Sequence, residues 1–209
     1  MSDFGPSVLG TLGYWDGIYQ KELEDFRDNE DPGTEWFGHN VAKRIVKWVK
    51  ESNILSKEST IIDIGCGNGL LLLELAKLGY TNLCGVDYSK GALELAKNIF
   101  NHEKIPEDVA TWLELDITNQ TIVKSENEPA IMKVCNDAVY KRACYIEQVK
   151  QFLSKRFGIL LITSCNWTTA ELQSHFMDFK LLEELPAPTF TFGGKTGKTV
   201  SSCVFKLLA

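Results

Sequence analysis

The chain carries the stretch Ile61-Ile62-Asp63-Ile64-Gly65-Cys66-Gly67-Asn68-Gly69, and a leucine-rich run from Leu70 to Leu78 follows it directly. Ser59 to Ile64 is β-branched or apolar at nearly every position, which is typical of a strand buried on both faces. The glycines allow a sharp turn and let the backbone approach a ligand closely. Leu70 to Leu78 predicts a helix, and Gly79 is well placed to end it. Strand, loop and helix together predict the ligand-binding crevice of a doubly wound α/β sheet.

The spacing of the glycines indicates which ligand this crevice holds. A dinucleotide site needs Gly-x-Gly-x-x-Gly or Ala, and here Leu70 occupies the sixth position of that pattern. Asp63, two residues before Gly65, is not part of the dinucleotide pattern either. The sequence Asp-x-Gly-x-Gly-x-Gly resembles motif I of the class I S-adenosylmethionine (SAM) methyltransferases. The cationic sulfonium and ammonium groups of SAM suit a nearby carboxylate, so we expect SAM, with a dinucleotide oxidoreductase as the weaker alternative.

Acidic residues end three successive predicted strands. Asn82 to Asp87 is the second strand, and Asp87 is placed to accept hydrogen bonds from both ribose hydroxyls. Thr111 to Asp116 is the third, and Asp116 is placed to accept from the adenine amino group. One such acid alone is commonly a solvated residue, whereas three of them beside a glycine loop indicate a binding edge. The expected cofactor-binding residues are Asp63, Gly65, Cys66, Gly67, Asp87, Tyr88, Asp116 and Ile117.

Composition limits the classes of function. The chain has 209 residues and a net charge of −6, without a basic run, so a general nucleic-acid partner is not expected. We expect no membrane partner, because no apolar run approaches 18 residues, and we expect no signal peptide. The six cysteines are scattered without a C-x-x-C pair, and the three histidines are scattered too. This favours a reducing intracellular compartment and argues against a zinc site.

The rest of the chain alternates predicted helices and strands. Residues 1–12 are expected to form a flexible N-terminus, and residues 13–209 a single domain. Further helices are predicted for residues 14–27, 40–52 and 90–101, the last with Ser89 as N-cap. Two more are predicted, one from Asn136 or Asp137 to about residue 153 and one from Thr168 or Thr169, with Glu171, to Phe176. Further strands are predicted for 157–164, 179–185 and 199–207, with Pro186, Pro188, Gly193-Gly194 and Gly197 as turn residues before the last strand.

Two large aromatic residues, Trp36 and Phe37, stand beside Gly38 in a predicted loop. They have two interpretations. They either fill a gap in the core beneath the first helix, or they form a lid over the cofactor or the target side chain.

With these features in view, the chain resembles the eukaryotic protein-lysine methyltransferases that act on translation elongation factor 1-alpha. The resemblance spans most of the chain, and Ser164-Cys165-Asn166-Trp167-Thr168 is its most specific part, since motif I is shared by many unrelated methyltransferases. The other matching segments are Pro6-Ser7-Val8-Leu9-Gly10, Tyr14-Trp15-Asp16, Trp36-Phe37-Gly38, the run Leu160 to Ser164, Leu181-Leu182-Glu183-Glu184-Leu185-Pro186 and Phe192-Gly193-Gly194.

The resemblance implies a Rossmann-like seven-strand methyltransferase sheet of order 3-2-1-4-5-7-6, SAM as methyl donor and a lysine of elongation factor 1-alpha as acceptor. We further expect a monomer in the cytoplasm, with the nucleus as a second location. We name no catalytic base. Asn166, Trp167 and Trp36 are the candidates for lining the acceptor pocket, and a buried helix-entry turn is the alternative role of the first two.

The chain departs from the family at the fourth strand. The family has a strong strand followed by Asp-Lys-Gly, but no Asp-Lys-Gly occurs here, so this strand is missing or degenerate. Ala130 to Cys135 either stands in for it, paired on both sides between the first and fifth strands, or forms a loop. A gap there would cost ladder hydrogen bonds and buried area. The alternative function is therefore a truncated, non-catalytic SAM-binding or interaction module.

Overall fold

The computed structural model describes residues 11–118, 122–124, 129–131, 138–153, 158–192 and 195–208. The chain divides into two compact units, Met1–Asp116 and Ile117–Ala209. The first unit contains α1 (Leu12–Asn29), α2 (His39–Glu51), β1 (Ile61–Ile64), α3 (Leu70–Lys77), β2 (Leu83–Asp87), α4 (Lys90–His102) and β3 (Ala110–Glu114). The second contains β4 (Ile122–Lys124), β5 (Pro129–Ile131), α5 (Ala138–Phe152), β6 (Ile159–Ser164), α6 (Thr169–His175), β7 (Phe179–Glu184), β8 (Thr189–Phe192), β9 (Lys195–Lys198) and β10 (Ser201–Leu207).

The first unit is built on a parallel three-stranded sheet in the order β1-β2-β3. The register places Asp63 of β1 opposite Gly85 of β2, and Asp87 at the end of β2 opposite Glu114 of β3. All three strands therefore end at one edge, as the sequence predicts. The apolar faces of α3 and α4 supply much of the core, which includes the fully buried Leu72, Leu75, Leu83, Leu95 and Ile99.

Strand β1 is less buried than its sequence predicts. All four of its residues, Ile61 to Ile64, are only partly buried, and it begins at Ile61 rather than Ser59. The reason lies in the pairing: within the described residues β1 has a partner, β2, on one edge only. An apolar run reports a preference for burial, whereas the burial achieved depends on the neighbouring strand.

Helix α3 ends as its sequence predicts. Gly79 has a φ of 88°, and its N–H donates to the carbonyl of Ala76 at 2.8 Å. The N–H of Tyr80 donates to the carbonyl of Leu75 at 3.2 Å, and both of these side chains are buried. This pair of hydrogen bonds with its apolar contact is the Schellman motif, in which glycine supplies the left-handed residue.

Helix α1 begins at Leu12, inside the N-terminal segment predicted to be flexible, and residues 1–10 lie outside the described part of the chain. It packs on α4 through its predicted apolar face, where Leu23 is fully buried. Arg27 of α1 also donates to Glu94 of α4 at 2.8 Å between exposed side chains. None of the helices in the described ranges is long and apolar enough to cross a membrane.

The second unit contains an antiparallel three-stranded sheet in the order β6-β10-β7, with Phe176, Phe205 and Val204 among its fully buried residues. The residues predicted as turn material contain a second hairpin, in which β8 pairs with β9. In the sequence, Gly193-Gly194 stands between these two short strands. This glycine pair is a hairpin signal, although the sequence prediction treats the region only as turn residues.

The structure describes only the first two residues of the segment Ala130 to Cys135. Ala130 and Ile131 belong to β5, which pairs antiparallel with β4, so they form a hairpin rather than a loop. Within the described residues, β5 has no pairing with β1 or β6, as a central strand would require. Residues 132–135 lie outside the described part of the chain. When strands are numbered as in the expected seven-strand sheet, the sheet of β1, β2 and β3 corresponds to strands 3-2-1. The sheet of β6, β10 and β7 corresponds to strands 5-7-6.

A reciprocal capping box starts α6. The Thr168 hydroxyl accepts from the Glu171 N–H at 3.3 Å, and the Glu171 carboxylate accepts from the Thr168 N–H at 2.8 Å. This confirms the predicted helix start and identifies Thr168, rather than Thr169, as its N-cap.

Replacing Thr168 by Ala should destabilise the fold by about 1–2 kcal/mol, because it removes the acceptor for an otherwise unpaired N–H of α6. Urea denaturation measures this change in the free energy of unfolding. Thr168→Ser is the matched control, since it keeps the hydroxyl, and it should remain close to the unmodified protein. Equal stability of the Ala and Ser variants would show that the cap contributes nothing.

Candidate functional site

The glycine loop between β1 and α3 is held in a left-handed backbone conformation. Gly65, Gly67 and Gly69 have φ angles of 77°, 52° and 72°. Their backbone N–H groups are engaged inside the protein: Gly65 donates to the Val86 carbonyl at 2.7 Å, and Gly67 donates to the Asp87 carboxylate at 2.9 Å. A pyrophosphate site needs such N–H groups aimed at the ligand. This geometry therefore argues against a dinucleotide.

Asp87 connects the glycine loop to helix α4. One carboxylate oxygen accepts from the Gly67 N–H and the other from the Ser89 N–H, each at 2.9 Å. The side chain is buried, and burial raises the pKa of this carboxyl while the backbone hydrogen bonds oppose the rise. Each carboxylate oxygen can accept a further hydrogen bond. The predicted contact of Asp87 with the ribose hydroxyls stays a prediction. The structure adds that Asp87 positions the glycine loop and the start of helix α4.

Asp63 is a carboxylate without a donor. Among the residues that the structure describes, none donates a hydrogen bond to it. Burial and, after it, the negative charge of Asp87 raise the pKa of the Asp63 carboxyl to about 6. A partly buried carboxylate that has no donor is costly to keep ionised unless a cation reaches it. The residues present thus fit a ligand that brings a positive charge to the end of β1, as SAM does.

Cys66 and Tyr88 are two further predicted cofactor residues, and they lie near Asp63 and Asp87. Burial raises the pKa of the Cys66 thiol, with Asp63 and Asp87 adding to the rise, so it remains a neutral thiol. Burial and then Asp87 raise the pKa of Tyr88 to about 12. Tyr88 also lines an open cleft of about 270 Å³, whose other walls are Leu12, Asp16, Gln20, Lys90, Gly91 and Glu114.

Asp116 and Ile117 follow β3, but not as its last residues. The strand ends at Glu114, and the Leu115 N–H donates to the Asp87 carbonyl at 2.9 Å. Asp116 is partly buried and contributes to the raised pKa of Tyr88. Ile117 is the first residue of the second unit, is buried, and accepts the Cys144 thiol hydrogen at its carbonyl.

The three candidate acceptor-pocket residues lie in different units. Trp36, in the first unit, is 55% exposed and contacts Trp15 edge to face at 4.6 Å, so the core-filling interpretation is wrong and the lid stays a prediction. In the second unit, the Ser164 hydroxyl accepts the N–H groups of Asn166 and Trp167 at 3.2 and 3.1 Å. The indole of Trp167 is partly buried, with the His175 ring 4.8 Å away.

Helix α1 contributes residues that sequence reasoning placed in the core or did not name. The Tyr19 hydroxyl occupies the space that a β-carbon on Gly67 would need. Asp16 accepts the Ser89 hydroxyl at 2.6 Å, next to the N-terminus of α4. Asn68 of the loop donates to the carbonyl of Pro32 at 3.0 Å. The apolar period of α1 gave no indication that Tyr19 contacts the glycine loop, because Tyr19 fits that period as an ordinary core residue.

Replacing Gly67 by Val should abolish SAM binding, because a β-carbon would displace Tyr19 and the left-handed backbone costs an L-residue about 1–2 kcal/mol. Calorimetric titration with SAM and thermal denaturation measure the two effects. Gly17→Ala is the control: a β-carbon there meets no atom within 4 Å, and Ala stabilises a helix interior by up to about 1 kcal/mol. Normal SAM binding by the Gly67 variant would reduce the loop to a structural turn.

The chain matches known proteins in sequence and in fold. Residues 55–189 match the family described as Methyltransferase domain. A SAM-dependent methyltransferase from Anabaena variabilis superposes with a TM-score of 0.62 at 16% identity, with 99% of each chain covered. The magnesium protoporphyrin IX methyltransferase of Synechocystis, solved with bound SAM, gives a TM-score of 0.56 at 13% identity and covers 91% of this chain and 97% of its own. These structures support an α/β methyltransferase fold.

Sequence relatives extend over nearly the whole chain. EEF1A lysine methyltransferase 2 is 38% identical in Homo sapiens, over 97% of this chain and 88% of the relative, and 41% identical in Danio rerio, over 98% and 90%. The protein-lysine N-methyltransferase efm4 of Schizosaccharomyces pombe is 34% identical over 99% of this chain and 97% of its own. The chain therefore belongs to this family of SAM-dependent protein-lysine N-methyltransferases.

Proposed function

We propose that this protein transfers a methyl group from SAM to a lysine side chain of translation elongation factor 1-alpha. The observation that carries the proposal is the near full-length similarity to relatives named for that activity. The geometry of the first unit agrees with it, since a carboxylate without a donor, Asp63, stands at the start of a glycine loop whose backbone is already engaged.

The residues of the first unit would hold the methyl donor by charge and shape. When bound, SAM supplies a methyl group made electrophilic by its sulfonium. Asp63 would face the methionine ammonium, and the loop from Gly65 to Gly67 would let the ligand lie against the backbone. Asp87 would accept from the ribose hydroxyls with the lone pairs that Gly67 and Ser89 leave free. Asp116 would accept from the adenine amino group, and Ile117 remains a proposed cofactor contact.

The acceptor lysine has to be neutral when it reacts. A free lysine has a pKa near 10.4, so only about one in a thousand is neutral at pH 7. A narrow, apolar pocket lowers that pKa because it disfavours the charged amine, and holding the amine in place supplies further rate. Trp36, Asn166 and Trp167 are the residues we propose for this pocket. We assign no catalytic base.

One observation favours a second candidate, a non-catalytic SAM-binding or interaction module. Ala130 and Ile131 pair in a hairpin, and the sequence lacks the Asp-Lys-Gly that follows the central strand in the family. The first proposal includes the seven-strand order 3-2-1-4-5-7-6, which the strand orders within the two triplets support. We also propose a monomer in the cytoplasm, with the nucleus as a second location.

Incubating recombinant elongation factor 1-alpha with this protein and isotopically labelled SAM should add labelled methyl groups to a lysine. Peptide mass spectrometry identifies the residue and the number of methyl groups. The control is the Asp63→Asn variant, which should transfer far less label because it lacks the carboxylate for the ligand ammonium. SAM binding without any transfer to the factor would instead support the non-catalytic module.

SAM affinity should depend on pH through Asp63. Its pKa is about 6, and a ligand ammonium lowers it, because the positive charge favours the ionised carboxylate. Affinity is therefore full above that pKa and falls as the pH drops through it, becoming about tenfold weaker at pH 5 than at pH 7. Calorimetry between pH 5 and pH 7 measures the profile.

Asp63→Asn is the matched control for this titration, because Asn keeps the shape of the side chain but does not ionise. Its SAM affinity should be weaker than that of the unmodified protein and nearly constant over the same pH range. A profile of the unmodified protein that is flat from pH 5 to pH 7 would exclude the contact between Asp63 and the ammonium.

A further inference from the structure

Tyr19 spans the distance from helix α4 to the glycine loop. Its β-carbon lies 3.5 Å from where a β-carbon on Gly91 would be, and its hydroxyl occupies the corresponding position at Gly67. The ring therefore lies across two glycines: a β-carbon on Gly67 would displace its hydroxyl, whereas one on Gly91 would make an ordinary contact with its β-carbon. On its outer side it stacks on Trp15, with the ring centroids 6.1 Å apart. This contact places a phenol hydroxyl of α1 directly on the loop that forms the cofactor crevice.

The Tyr19 hydroxyl is a donor without an acceptor. In the part of the chain that the structure describes, no residue forms a hydrogen bond with it. Burial is the main cause that raises the pKa of this phenol, and the negative charges of Asp87 and Glu22 add to it, so the hydroxyl keeps its proton. A partly buried hydroxyl beside an open loop is satisfied either by water or by a ligand atom that accepts.

The methionine end of SAM carries two charges on one carbon, an ammonium and a carboxylate. Asp63 suits the ammonium, so the carboxylate has to lie next to it, in a site where Asp63 and Asp87 would repel it. The loop offers it few N–H groups. Those of Gly65 and Cys66 donate to the Val86 carbonyl at 2.7 and 3.1 Å, and that of Gly67 donates to Asp87. A carboxylate here consequently depends on a side-chain donor.

We propose that the Tyr19 hydroxyl binds the methionine carboxylate of the methyl donor, which makes helix α1 part of the cofactor site. The inference rests on the proposed function in so far as SAM is the ligand. The protein itself holds α1 close to this point, because the Ser89 hydroxyl donates to Asp16, three residues before Tyr19, at 2.6 Å.

The test compares two ligands that differ only in the carboxylate. SAM and decarboxylated SAM are titrated calorimetrically into the unmodified protein and into Tyr19→Phe, which keeps the ring and removes the hydroxyl. A hydrogen bond to a charged group corresponds to a loss of roughly tenfold or more in SAM affinity. Decarboxylated SAM should bind the unmodified protein and the variant equally well.

Tyr14→Phe is the matched control, because Tyr14 lies on the same helix and also contacts Trp15. It should leave both affinities unchanged. An equal loss for both ligands in Tyr19→Phe would assign the hydroxyl a structural role, and no loss for either would remove it from the site. Partial unfolding of the variant would weaken both ligands alike, so the ratio of the two affinities still decides.

The titrations contain no elongation factor, so a failure of lysine methylation leaves their outcome unaffected. The proposed target could be wrong while Tyr19→Phe still distinguishes SAM from its decarboxylated analogue. Absence of SAM binding by the unmodified protein would overturn both the cofactor assignment and this inference.

Discussion

The site depends on one buried carboxylate, that of Asp87. A charge taken out of water is costly unless donors replace the lost solvent, and here the N–H groups of Gly67 and Ser89 do so at 2.9 Å each. The same two contacts fix the turn of the glycine loop and the start of helix α4 relative to β2. Removing the carboxylate would therefore change the shape of the crevice as well as its charge.

The crevice is acidic, and its acidity selects the ligand. The negative charge of Asp87 disfavours ionisation of Asp63, Cys66 and Tyr88, and that of Asp63 disfavours ionisation of Cys66. Burial is the larger cause, and it keeps the Cys66 thiol and the Tyr88 phenol neutral. Such a site attracts a cation and repels a phosphate. The engaged N–H groups of the loop act in the same direction, since they are not available to an anion. Charge and hydrogen bonding thus favour a sulfonium ligand over a dinucleotide by two independent routes.

The two sheets show what a central strand contributes to this class of fold. Within the described residues, β1 and β6 are each the edge of a three-stranded sheet, and β1 is only partly buried despite its apolar sequence. The predicted cofactor residues Asp63 and Asp87 belong to the first of these sheets, where the pairing register of the strands and the φ angles of the glycine loop are described. SAM binding can therefore be measured separately from methyl transfer, because the proposed acceptor residues Asn166 and Trp167 belong to the second unit.

Sequence alone determined the features that depend on a few neighbouring residues. The strand, glycine loop and helix around Gly65, the left-handed end at Gly79, the N-cap at Ser89 and a helix start at Thr168 or Thr169 were predicted and confirmed, the last at Thr168. Each is encoded within one or two turns of chain, where backbone sterics and a local hydrogen bond decide the conformation.

Tertiary structure alone decided what distant segments do to one another. The approach of Tyr19 to Gly67 and the exposure of Trp36 follow from packing between segments that are separated in sequence. A helical apolar period shows that a residue faces inward, but it cannot show whether that residue meets the core or a ligand loop. Burial and pairing depend on which partner arrives, and the periodicity of a single segment carries no information about its partner.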